Sequence, residues 1–445
     1  MYLCAMTTKQ IILERLNKKL GITALNEMQL ATLNCSEEDT DIVLLSPTGS
    51  GKTIAFLLPV ILRLNPQCKN TQTLILVPSR ELAMQIDTVG RTISSGYKIN
   101  CCYGGRPIKT EVKSFQESPA ILIGTPGRIL DHLEHGRINT ESVTTLVLDE
   151  FDKCLELGFQ DQMEAIIQNL PNIRKRILTS ATEGEIPEFA GLRNPKTIRF
   201  EKKTADKKLS LFLVTSPEQD KLKSLETLLR NLTPGATLIF CNHRESTERI
   251  GKFLTERNIL NEVFHGGMEQ IRRERALCRF KNGSTSIFIS TDLASRGLDI
   301  PEIKHVIHYH LPINEEAFIH RNGRTARMFS DGSAYLLSNP EDIIPEYIQN
   351  SQPGRFELSP DTNLLELPPM NTLFIGKGKK DKLNKVDIVG FLIQKGELLK
   401  EDIGMIDIKE YYSYVAVNRK KINRTLRLIL KEKIKNMKSR YEIAR

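Results

Sequence analysis

The sequence predicts an α/β protein: two tandem parallel-sheet domains followed by a small α+β domain with a βαββαβ order of elements. Three observations lead there. The chain has 445 residues, too many for one core and enough for about two to four domains. Short apolar runs alternate with longer helical patterns, stop at a lysine-rich stretch and then start again. Beyond residue 370 both the pattern and the charge balance change.

The first series of runs is DIVLLS, TLILVP, AILIGT, TLVLDE and RILTSA, all before residue 182. Apolar strands separated by helix-length segments belong in a parallel sheet with crossover helices. The first domain is expected at 1–200, and EKKTADKKLS at 201–210 reads as a linker. LFLVTS, TLIFCN, SIFIST and HVIHYH restart the rhythm and place a second α/β domain at 211–352. A second linker, around SQPGRFELSP, is expected at 353–370. Over 371–445, NTLFIG and DIVGFLIQKGEL read as strand and helix, MIDIKE and YSYVAVN as two strands, INRTLRLILKEKI as a helix and RYEIA as a last strand. That order matches a ferredoxin-like sandwich, the architecture of RNA recognition motifs.

Hydrophobic residues make up 40% and charged residues 26%, the balance of a soluble globular chain. No stretch approaches the roughly 20 apolar residues that span a bilayer, and the N-terminus does not read as a secretion signal, so a cytoplasmic protein with no membrane partner is expected. The eight cysteines show no CxxC spacing and read as reduced, mostly core thiols. Trp is absent, which leaves any stacking on bases to Tyr, Phe, His or Arg. The net charge of +9 is concentrated: residues 371–445 hold 19 Lys plus Arg against 9 Asp plus Glu, and the remainder holds 44 against 45. A basic domain on a neutral body is the footprint of phosphate-backbone binding, although a solvated basic tail has the same composition.

The strongest local signal is SPTGSGKT at 46–53, after one apolar run and before the helical pattern IAFLLPVIL. In such a loop Thr48, Gly49, Ser50 and Gly51 wrap backbone N–H groups around phosphate oxygens, Lys52 reaches the terminal phosphates and Thr53 offers its hydroxyl to Mg²⁺. The run TLVL ends in Asp149-Glu150-Phe151-Asp152, at the strand end where open α/β sheets bind ligands. Asp149 is placed to hold Mg²⁺ through water, and Glu150 to orient the water that attacks the γ-phosphate. An acidic helix N-terminus would explain LDEFDK by itself; its pairing with the phosphate loop favours the catalytic reading.

These segments resemble the DEAD-box family of RNA helicases, and the likeness runs through both α/β domains in the family's motif order. Gln29 takes the position of the adenine-reading glutamine, PSREL at 78–82 is similar to motif Ia, and Gly104-Gly105 to the glycine doublet. TPGR at 125–128, DEFD at 149–152 and Ser180-Ala181-Thr182 follow as motifs Ib, II and III. IFCN at 239–242, Gln270 with Arg273, STDLASRGLDI at 290–300 and HRNGRTAR at 320–327 continue the series. The resemblance implies RecA-like domains that bind ATP and Mg²⁺ and separate short RNA duplexes, with ATP and single-stranded RNA each favouring closure and so raising affinity for the other. It implies Arg324 and Arg327 as arginine fingers and Asp299 at the ribose. Ser180, Thr182 and Asp152 would couple the motifs. Arg80, Gly105, Thr125, Gly127, Arg128, Gln270, Arg273, Thr291 and Arg296 would contact RNA. For the arginines the plain alternative is surface ion pairing, worth about 0–1 kcal/mol each; for TPGR it is a turn.

Three positions depart from the family. Phe151 stands where Ala is usual, and its ring must find space beside motif III. LNEM precedes Gln29 where PTPI is favoured, and Ile12 is the nearest equivalent of the aromatic that commonly stacks on adenine. Ala326 replaces a usual Gly in motif VI. The C-terminal segment resembles the RNA-binding domain of bacterial DbpA-type DEAD-box proteins, which implies large-subunit ribosomal RNA or pre-ribosomal particles as partner; no obligatory protein partner is expected. There Lys377, Lys379, Lys380 and Lys382 are expected along phosphates, and Tyr411, Tyr412 and Tyr414 offer ring faces unless they pack in the core. IKNMK stands where a Gly-Arg pair is more usual. Two other functions stay open on sequence: an ATP-gated RNA clamp without productive turnover, and a DNA helicase.

Overall fold

The structure, a computed structural model, describes residues 8–35, 38–47, 49–94, 96–181, 183–200, 209–292, 300, 303–325, 331–360 and 365–444. The chain separates into two compact units, the first with one sheet and the second with two.

In the first unit seven parallel strands run β1 (Ile42–Leu45), β2 (Thr73–Leu76), β3 (Ile99–Cys102), β4 (Ile121–Gly124), β5 (Thr145–Leu148), β6 (Lys175–Ser180) and β7 (Lys196–Arg199). Their order across the sheet is β3-β4-β2-β5-β6-β1-β7. The helices are α1 (Thr8–Leu20), α2 (Glu27–Asn34), α3 (Lys52–Leu62), α4 (Arg80–Ile93), α5 (Ile108–Ser114), α6 (Pro126–Glu134), α7 (Phe151–Glu156) and α8 (Gln160–Gln168). Successive strand side chains point to opposite faces, so each face has its own core. Ile42, Leu44, Ile75, Ile123 and Val147 join Phe56 and Leu57 of α3 on one side. Val43, Leu74, Leu76, Leu146 and Leu148 join Met163 and Ile166 of α8 on the other. The chain leaves β1 for β2 across β6 and β5, which opens a crevice at the carboxyl end of β1 where α/β sheets receive ligands.

The second unit repeats this arrangement with β8 (Leu209–Thr215), β9 (Thr237–Phe240), β10 (Asn261–Phe264), β11 (Ile287–Ser290), β12 (His305–His308), β13 (Gly332–Ser338) and β14 (Gly354–Arg355), again all parallel and ordered β10-β11-β9-β12-β13-β8-β14. Helices α9 (Leu222–Asn231), α10 (Arg244–Glu256), α11 (Gln270–Lys281), α12 (Glu315–Asn322) and α13 (Glu346–Asn350) connect them. The same unit carries β15 (Met370–Ile375), α14 (Lys385–Gln394), β16 (Ile403–Ile408), β17 (Ser413–Asn418), α15 (Ile422–Ile429) and β18 (Tyr441–Ile443). They form an antiparallel sheet, β16-β17-β15-β18, with Ile388, Leu392, Ile422 and Ile429 of the two helices packed on one face.

The expected fold class is the one observed. Strands β3, β7, β10, β13 and β14 lay outside the sequence reading, β8 begins at Leu209 inside the stretch read as linker, and α15 ends at Ile429, short of its apolar pattern. Among the described residues no helix is long and apolar enough to cross a membrane. The seven described cysteines are all free thiols, five of them buried.

Candidate functional site

The phosphate loop joins β1 to α3. Gly49 and Gly51 adopt φ of 78° and 93°, a left-handed backbone that glycine takes without steric cost. Gly51 is the N-cap of α3 and makes no side-chain cap hydrogen bond, and a helix N-terminus reached through such a glycine loop is the arrangement in which backbone N–H groups bind an anion. The loop is braced from α2. Asn26 Nδ2 donates to Ser50 O at 2.9 Å, Gln29 Nε2 donates to Gly51 O at 3.3 Å, and Asn26 and Gln29 form a capping box. A Cβ on Gly51 would lie 2.5 Å from Gln29 Nε2, so a side chain there would displace the Gln29 amide from the loop, and the φ of 93° favours glycine independently. Lys52 is buried, its Nζ donating to Ser46 O at 2.6 Å. Ile12 lies in the core, 1% exposed, and so is not open for stacking on a base. Thr48 falls outside the described residues.

Asp149 and Glu150 follow β5 and are both buried. The hydroxyl of Thr179, on neighbouring β6, donates to Asp149 Oδ1 and accepts from Glu150 N–H at 3.1 Å. Glu150 has φ of 48°, strained for a residue with a Cβ, and caps the start of α7. Burial pushes the Asp149 carboxyl above its ordinary range, against the pull of the Thr179 hydroxyl and the Lys52 ammonium. Oxygen ligands of this kind, the Asp149 carboxylate and the Thr53 hydroxyl, suit Mg²⁺. The Phe151 ring has its space: it is 2% exposed in the core beside α8, with Phe189 at 6.1 Å between ring centroids. Ser180 is buried at the end of β6, while Thr182 falls outside the described residues. Thr179 and Asn26 escaped the sequence reading, yet both had a signal: Thr179 directly precedes Ser180-Ala181-Thr182, and Asn26 stands three residues before Gln29, the spacing of a capping box.

Three strand ends of the same sheet bring the next group together. Arg80 opens α4 after β2, and its guanidinium lies against Gly104-Gly105 after β3; a Cβ on Gly105, whose φ is 86°, would meet Arg80 Nη1 at 2.5 Å. After β4 the TPGR segment is a helix start rather than a free turn, with Thr125 as N-cap, Pro126 in the first position and Gly127 exposed. Arg128 Nη2 donates to Arg106 O at 3.2 Å.

In the second unit Arg321 gathers three motif segments. It donates to both Asp292 carboxylate oxygens at 2.6 and 2.8 Å, to Asn242 Oδ1 at 2.8 Å and to His310 O at 2.9 Å, over the Phe240 ring. Burial pushes His308 down to about 3 and His310 down to about 4, so both are neutral at physiological pH. His308 Nε2 then donates to Asn322 Oδ1 at 2.9 Å. Arg324 follows on the same segment and is buried. Thr291 is half-buried at the end of β11, Gln270 donates to Glu274 at 3.2 Å, and Arg273 is buried with its guanidinium over Phe264. Arg296, Asp299 and Arg327 fall outside the described residues, as does Ala326.

The C-terminal sheet decides between the two readings of its tyrosines. Phe374, Tyr412 and Tyr414 pack with Cys278 of α11, and Tyr412 Oη donates to Glu274 Oε2 at 3.0 Å. Asn282 Nδ2 and Ser284 Oγ meet Thr372 Oγ1 at 2.8 and 2.7 Å, and Arg419 donates to Ser284 O at 2.6 Å. Tyr412 and Tyr414 are therefore packing residues, whereas Tyr411 is 56% exposed and carries the Lys380 ammonium over one face of its ring. Lys379, Lys380 and Lys382 stand exposed on one turn, whereas Lys377 is half-buried and paired with Asp381 at 2.8 Å. Lys435 Nζ donates to Lys382 O at 2.9 Å, which brings the IKNMK segment to this turn. Lys435 and Asn436 there adopt φ of 49° and 63° without glycine.

Comparison with known proteins agrees with this arrangement. The sequence matches the DEAD/DEAH box helicase family over 26–188, the helicase conserved C-terminal domain over 220–329 and the DbpA RNA binding domain over 372–443. It is 33% identical over 439 residues to the ATP-dependent RNA helicase DbpA of Escherichia coli (strain K12), covering 96% of this chain and 95% of that one. It is 32% identical over 435 residues to DbpA of Bacillus subtilis (strain 168), covering 89% and 90%. Among solved structures, S. cerevisiae Dbp5 bound to RNA and ADP BeF3 shares the fold at a TM-score of 0.68 and 24% identity, over 78% of this chain and 93% of that one. Mss116p bound to ssRNA and AMP-PNP reaches 0.68 at 25% identity, over 80% and 78%. With a glycine-bearing phosphate loop after β1, paired acids at the end of β5 and these relatives along almost its whole length, the chain belongs to the DEAD-box family of ATP-dependent RNA helicases and carries a DbpA-type RNA-binding domain.

Proposed function

We propose that this helicase remodels large-subunit ribosomal RNA during ribosome assembly, and that the residues described above carry out its ATP hydrolysis. The observation that carries the chemistry is the glycine loop at the N-terminus of α3 with Lys52, together with an acid pair held by Thr179. Thr48 to Thr53 would cradle the phosphates, Gln29 would face the adenine, and Asp299 the ribose. Glu150 orients and polarises the attacking water, while Lys52, Arg324 and Arg327 supply positive charge to the phosphoryl group in flight. Mg²⁺, held through Thr53 and Asp149, would neutralise charge on the β- and γ-phosphates.

Arg80, Gly105, Thr125, Gly127 and Arg128 in the first unit, and Gln270, Arg273, Thr291 and Arg296 in the second, would bind the RNA strand. With the aromatic face of the C-terminal sheet taken by α11, the exposed turn of Lys379, Lys380 and Lys382 beside Tyr411 is the surface that suits an RNA backbone. The likeness to DbpA proteins supports ribosomal RNA as the target, and the concentration of positive charge in 371–445 supports RNA over a protein ligand. The test is ATP turnover with ribosomal RNA fragments, unrelated RNA and matched DNA. Strong stimulation by large-subunit RNA at low concentration is expected. Equal stimulation by all three would remove the ribosomal assignment, and binding without turnover would leave an ATP-gated clamp.

A further inference from the structure

A buried charge with no part in the ATP chemistry lies beneath the RNA face of the first domain. Glu111, on α5, is 1% exposed, and its carboxylate is shared three ways. Oε1 accepts from Tyr103 N–H at 3.2 Å; Oε2 stands 2.8 Å from His132 Nε2 and 3.5 Å from Arg128 Nη1. Arg137 Nη1 approaches His132 Nδ1 at 3.5 Å, which puts the ring proton on Nε2, where it is donated to Glu111. His132 is fully buried on α6, one turn beyond Arg128, with Phe115 edge-on at 5.0 Å.

Holding a fold together does not call for a buried carboxylate, because well-packed apolar replacements of buried ion pairs are often neutral or stabilising. An apolar side chain cannot, however, fix a guanidinium and a loop N–H at set places. The groups that Glu111 holds frame the RNA face. Tyr103 directly precedes the Gly104-Gly105 turn, and Arg128 closes TPGR. Arg128 also reaches Arg106 O, beyond the glycine pair, so the loop after β3 and the helix start after β4 are joined through one carboxylate.

We propose that Glu111, supported by His132, is a positioning residue for RNA: it sets Arg128 and the glycine turn in the arrangement that receives the strand before the strand arrives. The proposal rests on the reading of Arg128 and Gly105 as RNA contacts. The experiment is RNA-stimulated ATP turnover of the full chain, giving the half-stimulating RNA concentration, kcat at saturating RNA and the KM for ATP, together with thermal melting. The variants are R128A, E111Q, the double variant, H132Q and H132L.

E111Q keeps the size of the side chain and drops the charge facing Arg128. It is expected to raise the half-stimulating RNA concentration about tenfold, with kcat and the KM for ATP within about twofold of the parent. Adding E111Q to R128A should cost less than E111Q costs the parent, since both act in part through one contact. H132Q, whose amide still donates to Glu111, should keep the parental RNA constant, and H132L should not. If R128A is impaired and E111Q is not, or if E111Q lowers kcat in step with a fall in melting temperature, the positioning role is overturned. A normal RNA constant in R128A would instead overturn the underlying assignment of RNA contacts.

Discussion

Replacing Phe151 with Ala installs the residue usual in DEAD-box proteins, and the structure shows what it would remove. The ring is 2% exposed in the core formed by Leu148, Cys154, Met163, Ile166 and Leu178, with Phe189 against it. Truncating a buried Phe to Ala costs about 3–5 kcal/mol, the lost burial adding to the cavity left behind. At about 2–4 °C per kcal/mol for a domain of about 200 residues, the melting transition of the first domain should fall by about 6–20 °C. The catalytic groups do not depend on the ring: Asp149 and Glu150 are held through Thr179, and Lys52 through Ser46. Turnover per folded molecule, measured well below the transition, should therefore stay within about threefold. Calorimetry and RNA-stimulated ATP turnover on the same preparations check both parts. An F151A protein that melts at or above the parent's temperature, or one that loses turnover with melting unchanged, would refute the reasoning.

Three further outcomes follow from other contacts. In G51A the left-handed backbone costs about 1–2 kcal/mol, and losing the bond from Gln29 adds about 1 kcal/mol; kcat/KM for ATP should drop about 30-fold to 150-fold in RNA-stimulated turnover, and an unchanged kcat/KM would contradict this. Burial raises Glu262 from 4.5 to about 7 despite Arg279 at 3.1 Å, so the folded chain keeps a proton that the unfolded chain releases. Its contribution is complete below about 4.5 and is lost as pH rises through about 7, so the denaturation midpoint of E262Q should gain on the parent's between pH 5 and pH 8; a constant difference would contradict this. N282L strips Thr372 of a partner where the C-terminal sheet meets α11, a loss of about 1–3 kcal/mol, and hydrogen exchange in β15 should quicken by about tenfold to a hundredfold. Unchanged protection would mean that the docking does not persist in solution.

The chemistry was readable in the sequence wherever it is local. GSGKT shapes its own loop through two glycines, and the acids after TLVL sit at a strand end whose character comes from a few adjacent residues. Interior strands such as TLIL and IFIS announced themselves because both of their faces are buried. INCC, KTIR and NEVF did not, because an edge strand is paired on one side only and carries exposed or polar positions that break the apolar run.

The sequence by itself thus determined the fold class, the order of the motifs and the residue types of the phosphate site, all of which depend on backbone preferences and period over short windows. Tertiary structure alone decided the fate of side chains whose partners are distant in the chain. Thr179 bridges two acids about thirty residues away, Tyr412 turns from a ring offered to RNA into a partner of Glu274, and Glu111 joins Tyr103 to His132 and Arg128. Whether a polar or aromatic group ends up as core, brace or contact surface depends on what packs against it, and only the folded chain sets that neighbourhood.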